Sequence, residues 1–346
     1  MLAAIKKEIS LKTNFLPEKE TLQTIYFGGG TPSVLSINEL AELLATIKQC
    51  FTIESDAEIT IEANPDDLSD EYLAALQRLG FNRLSIGIQS FFDDDLKWMN
   101  RRHSAEEAMQ SVRKAQKHGF GNINIDLLYG LPSMNNERWR RNLQYALELQ
   151  IPHISAYHLS IEPRTVFGKR QAKGKMYTVS EEASVAQFDI LLDTLQAAGY
   201  EHYEISNFAR RGFRSSHNCS YWLQKPYIGV GPSAHSFDGK TRQWNINNNS
   251  RYIAALEAED TWFESEHLTV AEQYNDYILV SLRTVWGVSI RYISEQFGKT
   301  FEEYFLEQVA GNVHQGYIQE QNGIYSLSRK GKLICDRLSS DLFYVL

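Results

Sequence analysis

The sequence predicts an α/β protein built on a parallel sheet and followed by a small helical domain. Three observations carry this. Short β-rich runs recur roughly every 25 to 50 residues between Thr24 and Ile205, each followed by a stretch of helical period. A repeated strand–helix unit builds a parallel sheet, because the crossover helix returns the chain to the same end. The rhythm stops at about Phe208, and helical periodicity resumes from about Val270.

The elements follow in order. Residues 24–27 (Thr-Ile-Tyr-Phe) read as the first strand, and 38–49 have a helical period. Residues 58–62 form a second strand, followed by a helix that Ser69 can cap, running to about Leu79. Strand 83–88 precedes a helix at 105–118, strand 122–127 one at 137–149, and strand 153–157 one at 180–198. Residues 201–205 make a sixth strand. Polar and aromatic residues then crowd together as far as Asn249, and residues 323–331 read as a short hairpin before a final helix. On pattern alone, a doubly wound sheet and a full or partial barrel are not distinguished. In either, ligands sit beyond the carboxyl ends of the strands.

Composition narrows the class. The chain has 346 residues, room for two domains at about 150 residues each. Hydrophobic residues make up 43% and charged residues 23%, an ordinary globular balance. With 35 Lys and Arg against 43 Asp and Glu, the net charge of −8 has the wrong sign for a general nucleic-acid coat. No apolar run is long enough to cross a membrane, and the first residues lack a signal peptide's apolar core, so the cytoplasm is the expected location. Cys50, Cys219 and Cys335 are too few and too far apart for a disulfide framework or a close-spaced metal motif.

Three constellations carry candidate chemistry. Phe27-Gly28-Gly29-Gly30-Thr31-Pro32 follows a strand directly, and its bare N–H groups suit a carboxylate, amine or phosphate. Three glycines alone equally suit a tight turn. Glu62, Gln89 and Asp126 stand at the ends of successive strands, where side chains converge on one face of a βα array with that loop. Ser216-His217-Asn218-Cys219-Ser220-Tyr221-Trp222 sets a histidine, an axial ligand type for heme iron, beside flat aromatic rings. A lone histidine is otherwise an ordinary hydrogen-bonded residue. The glycines of 227–236 read as a turn packed close to the barrel, with His235 a second histidine. Asp93, Asp94 and Asp95 read as a solvated helix end, as Arg101-Arg102 do on charge alone. Tyr157, His158 and Glu162 follow strand five and are further lining candidates.

These motifs also carry a resemblance. Residues 26–33 (Tyr-Phe-Gly-Gly-Gly-Thr-Pro-Ser), 62–65 (Glu-Ala-Asn-Pro), 85–91 (Ser-Ile-Gly-Ile-Gln-Ser-Phe) and 124–132 (Asn-Ile-Asp-Leu-Leu-Tyr-Gly-Leu-Pro) resemble the coproporphyrinogen-dehydrogenase-like (HemN-like) branch of the radical SAM superfamily. Within it, residues 217–222 (His-Asn-Cys-Ser-Tyr-Trp) match the His-Asn-x-x-Tyr-Trp signature of the HemW-like heme chaperones, which true coproporphyrinogen dehydrogenases lack. The resemblance covers nearly the whole chain in the right order.

The resemblance implies a partial (β/α)6 barrel over 1–207, a connecting region over 208–265 and a winged-helix-like domain over 266–346. It implies S-adenosylmethionine across the strand ends, with Gly29, Gly30 and Thr31 meeting the methionyl amine and Glu62, Gln89, Arg101 and Asp126 around it. It implies heme bound at His217, which supplies the iron ligand, beside Tyr221 and Trp222. The family also holds a 4Fe-4S cluster through Cys-x3-Cys-x2-Cys upstream of the glycine loop. Here 27 residues precede Gly28 and none is Cys. The expectation is a chain that begins inside the first helix without the first strand and cluster loop, an incomplete copy rather than a cluster-less paralogue. Such a chain would neither assemble the cluster nor turn over.

The function expected from this resemblance is heme binding and transfer to an acceptor apoprotein, with respiratory heme enzymes as candidate acceptors and dimerisation left open. The alternative is oxygen-independent coproporphyrinogen III oxidation. A transcriptional regulator acting through the C-terminal wing is disfavoured by the acidic balance and the lack of a basic recognition helix.

Overall fold

The computed structural model describes residues 1–16, 21–161 and 179–345, together with Gly168, Lys169 and Lys173; the candidate Glu162 lies outside them. The chain forms two compact units. One comprises Ile25–Ile37 and Glu58–Arg214, the other Met1–Thr24, Asn38–Ala57 and Ser215–Leu346.

Seven strands form the main sheet: β1 (Leu22–Phe27), β2 (Ile53–Ala63), β3 (Arg83–Gln89), β4 (Asn122–Tyr129), β5 (His153–His158), β6 (Glu201–Glu204) and β7 (Asn207–Ala209). Their order is β1-β2-β3-β4-β5-β7-β6, so the sheet keeps two edges and is a half-barrel. Strands β2 to β5 are parallel, as the strand–helix repeat predicts. The sixth expected strand differs from expectation. It does not pair with β5 but lies at the edge, and β7 runs antiparallel between them. The reason is local: only two residues separate β6 from β7, and so short a link joins only antiparallel neighbours. The Glu204 carboxylate accepts the Ser206 N–H (3.0 Å) and the Asn207 amide (2.6 Å), pinning that turn.

Alternation along the strands gives the sheet two different faces. Ile59, Ile61, Leu84, Ile86, Ile123, Ile125 and Ile154 lie buried on the apolar face. The other face carries Thr60, Glu62, Arg83, Ser85, Asn124, Asp126, His153 and Ser155. Register places Glu62, Ser85, Asn124 and His153 in one row across four strands. Asn124 donates to Ser85 Oγ at 2.8 Å and Ser155 donates to Asn207 at 2.9 Å, whereas Thr60 Oγ1 and the Arg83 Nε and Nη2 atoms are buried on this face without a hydrogen-bond partner among the described residues. Burial holds the His153 imidazole well below its usual range, hence neutral.

The helices begin where small polar residues cap them. Ser69 accepts the Tyr72 N–H as expected, and Ser104 forms a capping box with Glu107. One expectation is overturned. Asp93, Asp94 and Asp95 open a short helix, Asp93–Trp98, but only part of the run is solvated. Asp95 is fully buried. It accepts from Ser90 (2.8 Å) and Ser133 (2.7 Å) and pairs with Arg138 at 2.9 Å. Helical rotation of 100° per residue turns adjacent carboxylates to different faces.

In the other unit, the helix Leu2–Leu11 packs Ala4 against Tyr252 and Leu256 of the helix Asn249–Ala258. Buried Glu8 accepts from the Gly231 N–H (2.8 Å), Asn245 (2.7 Å), Trp262 (3.1 Å) and the Tyr252 hydroxyl, and pairs with buried Lys12 at 3.1 Å. The stretch without βα rhythm is ordered. It contains an antiparallel sheet of β8 (His235–Phe237), β9 (Thr241–Asn245) and β10 (Phe263–His267). Its glycine turn is packed against a strand of this sheet: a Cβ on Gly229 would stand 2.0 Å from the His235 carbonyl oxygen. Toward the C-terminus, helices Val270–Leu282, Ile290–Phe297 and Lys299–His314 accompany a sheet of β11 (Val288–Ser289), β12 (Ile318–Gln321) and β13 (Ile324–Leu327). The β12–β13 hairpin turns on Asn322-Gly323, both at positive φ, the Asn-Gly chemistry a tight hairpin needs. Helices Arg329–Lys332 and Cys335–Asp341 follow it.

Candidate functional site

The first site lies at the carboxyl ends of β1 to β4. Gly28, Gly29 and Gly30 leave β1 and are exposed. Gly29 and Gly30 have φ of +78° and +65°, and a Cβ on either would meet nothing within 4 Å, so the loop presents bare backbone to open space. Thr31 follows, half-exposed, and leads into a short 3-10 turn, Pro32–Val34. Glu62, near the end of β2, holds the loop. It accepts the Gly29 N–H at 3.1 Å and the Tyr26 hydroxyl at 2.8 Å. Gly28 cannot carry a side chain, because a Cβ there would stand 2.5 Å from the Tyr26 ring and 3.0 Å from Glu62 Oε1.

The next two residues meet over Gly87 of β3. A Cβ on Gly87 would lie 3.1 Å from Gln89 Nε2 and 3.3 Å from Arg101 Nη2. Gln89 itself is left-handed at φ +68°, where the β3–β4 register shifts, a strained placement for a non-glycine residue. Arg101 is half-buried and donates to Asn64 Oδ1 (2.7 Å) and the Gly87 carbonyl (3.0 Å). These bonds distinguish it from its neighbour Arg102, which is exposed and pairs with Asp66 and Asp67.

Asp126 sits on β4, two residues beyond Asn124, which donates to it at 2.9 Å. Burial pushes its carboxyl up to about 6; the Asn124 bond opposes this and the nearby Glu62 charge adds to it. The structure therefore brings Glu62 to the glycine loop, Gln89 and Arg101 together over Gly87, and Asp126 within the field of Glu62. Tyr157 feels Asp126 and Glu62 as well, and burial is the main reason its hydroxyl rises to about 12. His158 is engaged elsewhere, 3.0 Å from Ser184 Oγ. Tyr26, Asn64 and Asn124 belong to this site and were missed by sequence reasoning. Asn124 shares the row of Glu62 across the sheet, while Tyr26 and Asn64 reach the site only through their hydrogen bonds to Glu62 and Arg101.

The second site is on the helix Ser216–Trp222, which Ser215 caps by accepting the Asn218 N–H. His217 and Tyr221 are four residues apart, hence one turn apart on one face. Their rings cross at 85° with centroids 5.0 Å apart, and Tyr221 Oη lies 2.9 Å from His217 Nε2. The other imidazole nitrogen, Nδ1, lies 2.8 Å from Thr24 Oγ1. Tyr221 is 39% exposed and is braced at 4.6 Å by Tyr227. Burial of part of its ring lifts its hydroxyl to about 12, so it remains a neutral phenol. Trp222 ends the helix half-buried, a further 100° round from Tyr221. Thr24 and Tyr227 are the residues sequence reasoning did not assign to this site. His235 is exposed on β8.

Among the described residues, no three Cys, His, Asp or Glu side chains stand together as a metal or iron–sulfur cradle requires. Cys50, Cys219 and Cys335 form no disulfide among the described residues. Three cysteines so placed do not fit a 4Fe-4S cluster. The open backbone at Gly29 and Gly30, with the Glu62 carboxylate bonded to the loop, offers groups of the kind that receive a ligand amine.

Residues 7–146 match the radical SAM superfamily, and residues 268–334 match the HemN C-terminal domain. The structure of coproporphyrinogen III oxidase (HemN) from Escherichia coli superposes with a TM-score of 0.85, covering 100% of this chain and 83% of that one at 24% identity. Fold and glycine-loop rim thus define a radical-SAM-type half-barrel protein with a HemN-type C-terminal domain. Heme chaperone HemW of Bacillus subtilis is 35% identical over 90% of this chain and 83% of its own length. Heme chaperone HemW of Escherichia coli is 33% identical over 92% of this chain and 83% of its own. The chain belongs to the HemW family.

Proposed function

We propose that this protein is a heme chaperone that binds heme at His217 and passes it to an acceptor apoprotein. The observation that carries this is the placement of His217 on a short helix, its Nε2 facing the hydroxyl of the partly exposed Tyr221 at 2.9 Å. A transfer protein needs an axial ligand that exchanges, and a single half-buried imidazole beside an exposed tyrosine suits exchange better than a closed two-ligand pocket. Tyr221 and Trp222 supply aromatic surface for the macrocycle. The relatives named as heme chaperones, at 31–36% identity, support the reading.

The glycine-loop site is read as holding S-adenosylmethionine. Gly29, Gly30 and Thr31 meet its amine, Arg101 offers a cation to its carboxylate, and Glu62, Gln89 and Asp126 complete the surround. When bound, that molecule supplies a sulfonium cation, a charge that carboxylates at the strand ends favour. None of the described helices is long and apolar enough to cross a membrane; heme exchange with its acceptor is read as occurring in the cytoplasm.

The test is a hemin titration followed at the Soret band, with His217→Ala in parallel. Saturation near one heme per chain, weakened in the variant, is expected. Equal binding by the folded variant would overturn His217 as the ligand. Coproporphyrinogen III oxidation is the second reading, favoured by the shared fold alone. Decarboxylated product from an anaerobic assay with reductant would reverse the order.

A further inference from the structure

We propose that Tyr221 is a displaceable latch on the heme ligand, and that Thr24 is the positioning residue that makes Nε2 the ligating nitrogen of His217. The proposal rests on the heme-binding reading above and adds to it the means by which the ligand is masked and aimed.

Both imidazole nitrogens are engaged before any heme arrives. Nδ1 faces Thr24 Oγ1 at 2.8 Å, and Nε2 faces Tyr221 Oη at 2.9 Å. A neutral imidazole carries one N–H and one lone pair, so one hydroxyl accepts and the other donates. A phenol is the more acidic O–H and the better donor to a lone pair. An aliphatic hydroxyl is the better acceptor of the ring N–H. The favoured assignment is Nδ1–H donating to Thr24 and Nε2 accepting from Tyr221. It is the arrangement of ligating histidines generally, whose second nitrogen donates to a fixed partner that sets the tautomer.

Position distinguishes the two partners. Thr24 lies in strand β1 and is half-buried. Tyr221 is 39% exposed at the surface. A flat macrocycle reaches Nε2 only from the open side, so Tyr221 yields and Thr24 stays. On binding, the Tyr221–Nε2 hydrogen bond breaks. The freed nitrogen lone pair forms the iron–nitrogen bond, and a water on the hemin iron leaves. On release the steps reverse, and the phenol competes for the nitrogen that the acceptor's own ligand is replacing on iron. A latch of this kind lowers affinity and speeds hand-over.

The experiment is a hemin titration and a stopped-flow release assay to apomyoglobin, using wild type, Tyr221→Phe, Thr24→Val, Thr24→Ser and His217→Ala. Circular dichroism confirms that each is folded. Tyr221→Phe keeps the ring against Tyr227 and removes only the hydroxyl. It is expected to bind hemin about 2- to 12-fold more tightly, the worth of one hydrogen bond, and to release it more slowly. Thr24→Val is expected to weaken binding and alter the Soret and spin-state signature, and Thr24→Ser to restore both. If His217→Ala binds as wild type does, the heme site itself is misplaced. If His217→Ala loses binding while Tyr221→Phe binds equally or more weakly, the latch is overturned and the site stands. If Thr24→Val has a wild-type spectrum and affinity, Thr24 does not position the ring.

Discussion

The Gly29 N–H donates to the Glu62 carboxylate across 3.1 Å, tying the glycine loop to the strand beside it. A charged acceptor makes this stronger than a neutral hydrogen bond. Glu62→Ala should therefore free the loop. Hydrogen–deuterium exchange at residues 28–31 is expected to speed by roughly 10-fold or more, from the worth of a hydrogen bond to a charged group. Unchanged exchange in a folded variant would show that the loop is held by other means.

Asp126 makes stability depend on pH. Its carboxyl is raised from 3.8 to about 6, chiefly by burial. The folded state thus holds its proton more tightly than the unfolded chain does. The stabilisation from that proton is full below 3.8 and is lost as pH rises through about 6. Asp126→Asn removes the titration. Its advantage in urea unfolding should be about 1 kcal/mol at pH 4.5 and grow to as much as about 3 kcal/mol at pH 7.5. A difference independent of pH would contradict the assignment.

Glu8 and Lys12 form a buried pair among neutral donors. Burial pulls the Lys12 ammonium below its usual range, and the Glu8 carboxylate beside it opposes that shift. Glu8→Ala leaves that cation unpaired and should cost about 3–5 kcal/mol. Adding Lys12→Met should recover part of the loss, because the stranded charge is gone. Denaturant titration of the four-member cycle checks this, and strict additivity would mean the pair is not coupled.

Adjacent carboxylates in the Asp93–Trp98 helix should behave oppositely. Asp94 is 78% exposed and its pairing with Arg138 is long, so Asp94→Ala should change stability by less than about 0.5 kcal/mol. Asp95→Ala strands two hydroxyl donors and Arg138, and should cost about 3–5 kcal/mol. Thermal melting of the two variants makes the comparison, and similar melting points would refute the distinction.

The legible parts of the fold were those with a local cause. Ser69 announced its helix through cap chemistry, and the parallel run β2 to β5 through period. Strand β7 was missed because three residues are too short to show alternation. The strands β8 to β10 were missed because their polar residues pair across the sheet rather than forming an apolar stripe. Arg101 and Arg102 are indistinguishable as neighbours in a sequence. Only the turn that aims one at Asn64 and Gly87, and the other at Asp66 and Asp67, gives them different surroundings.

The sequence by itself determined the repeating strand–helix architecture, the glycine loop, the carboxylates at strand ends and the His217–Trp222 motif. These follow from periodicity, backbone permissiveness and residue chemistry, all properties of neighbours along the chain. Tertiary structure alone decided that Glu62 holds Gly29, that Asp126 titrates near neutrality, and that Thr24 and Tyr221 occupy the two nitrogens of His217. Thr24 and His217 are 193 positions apart. Burial, field and hydrogen-bond partners are set by what folding brings together, so no local pattern encodes them.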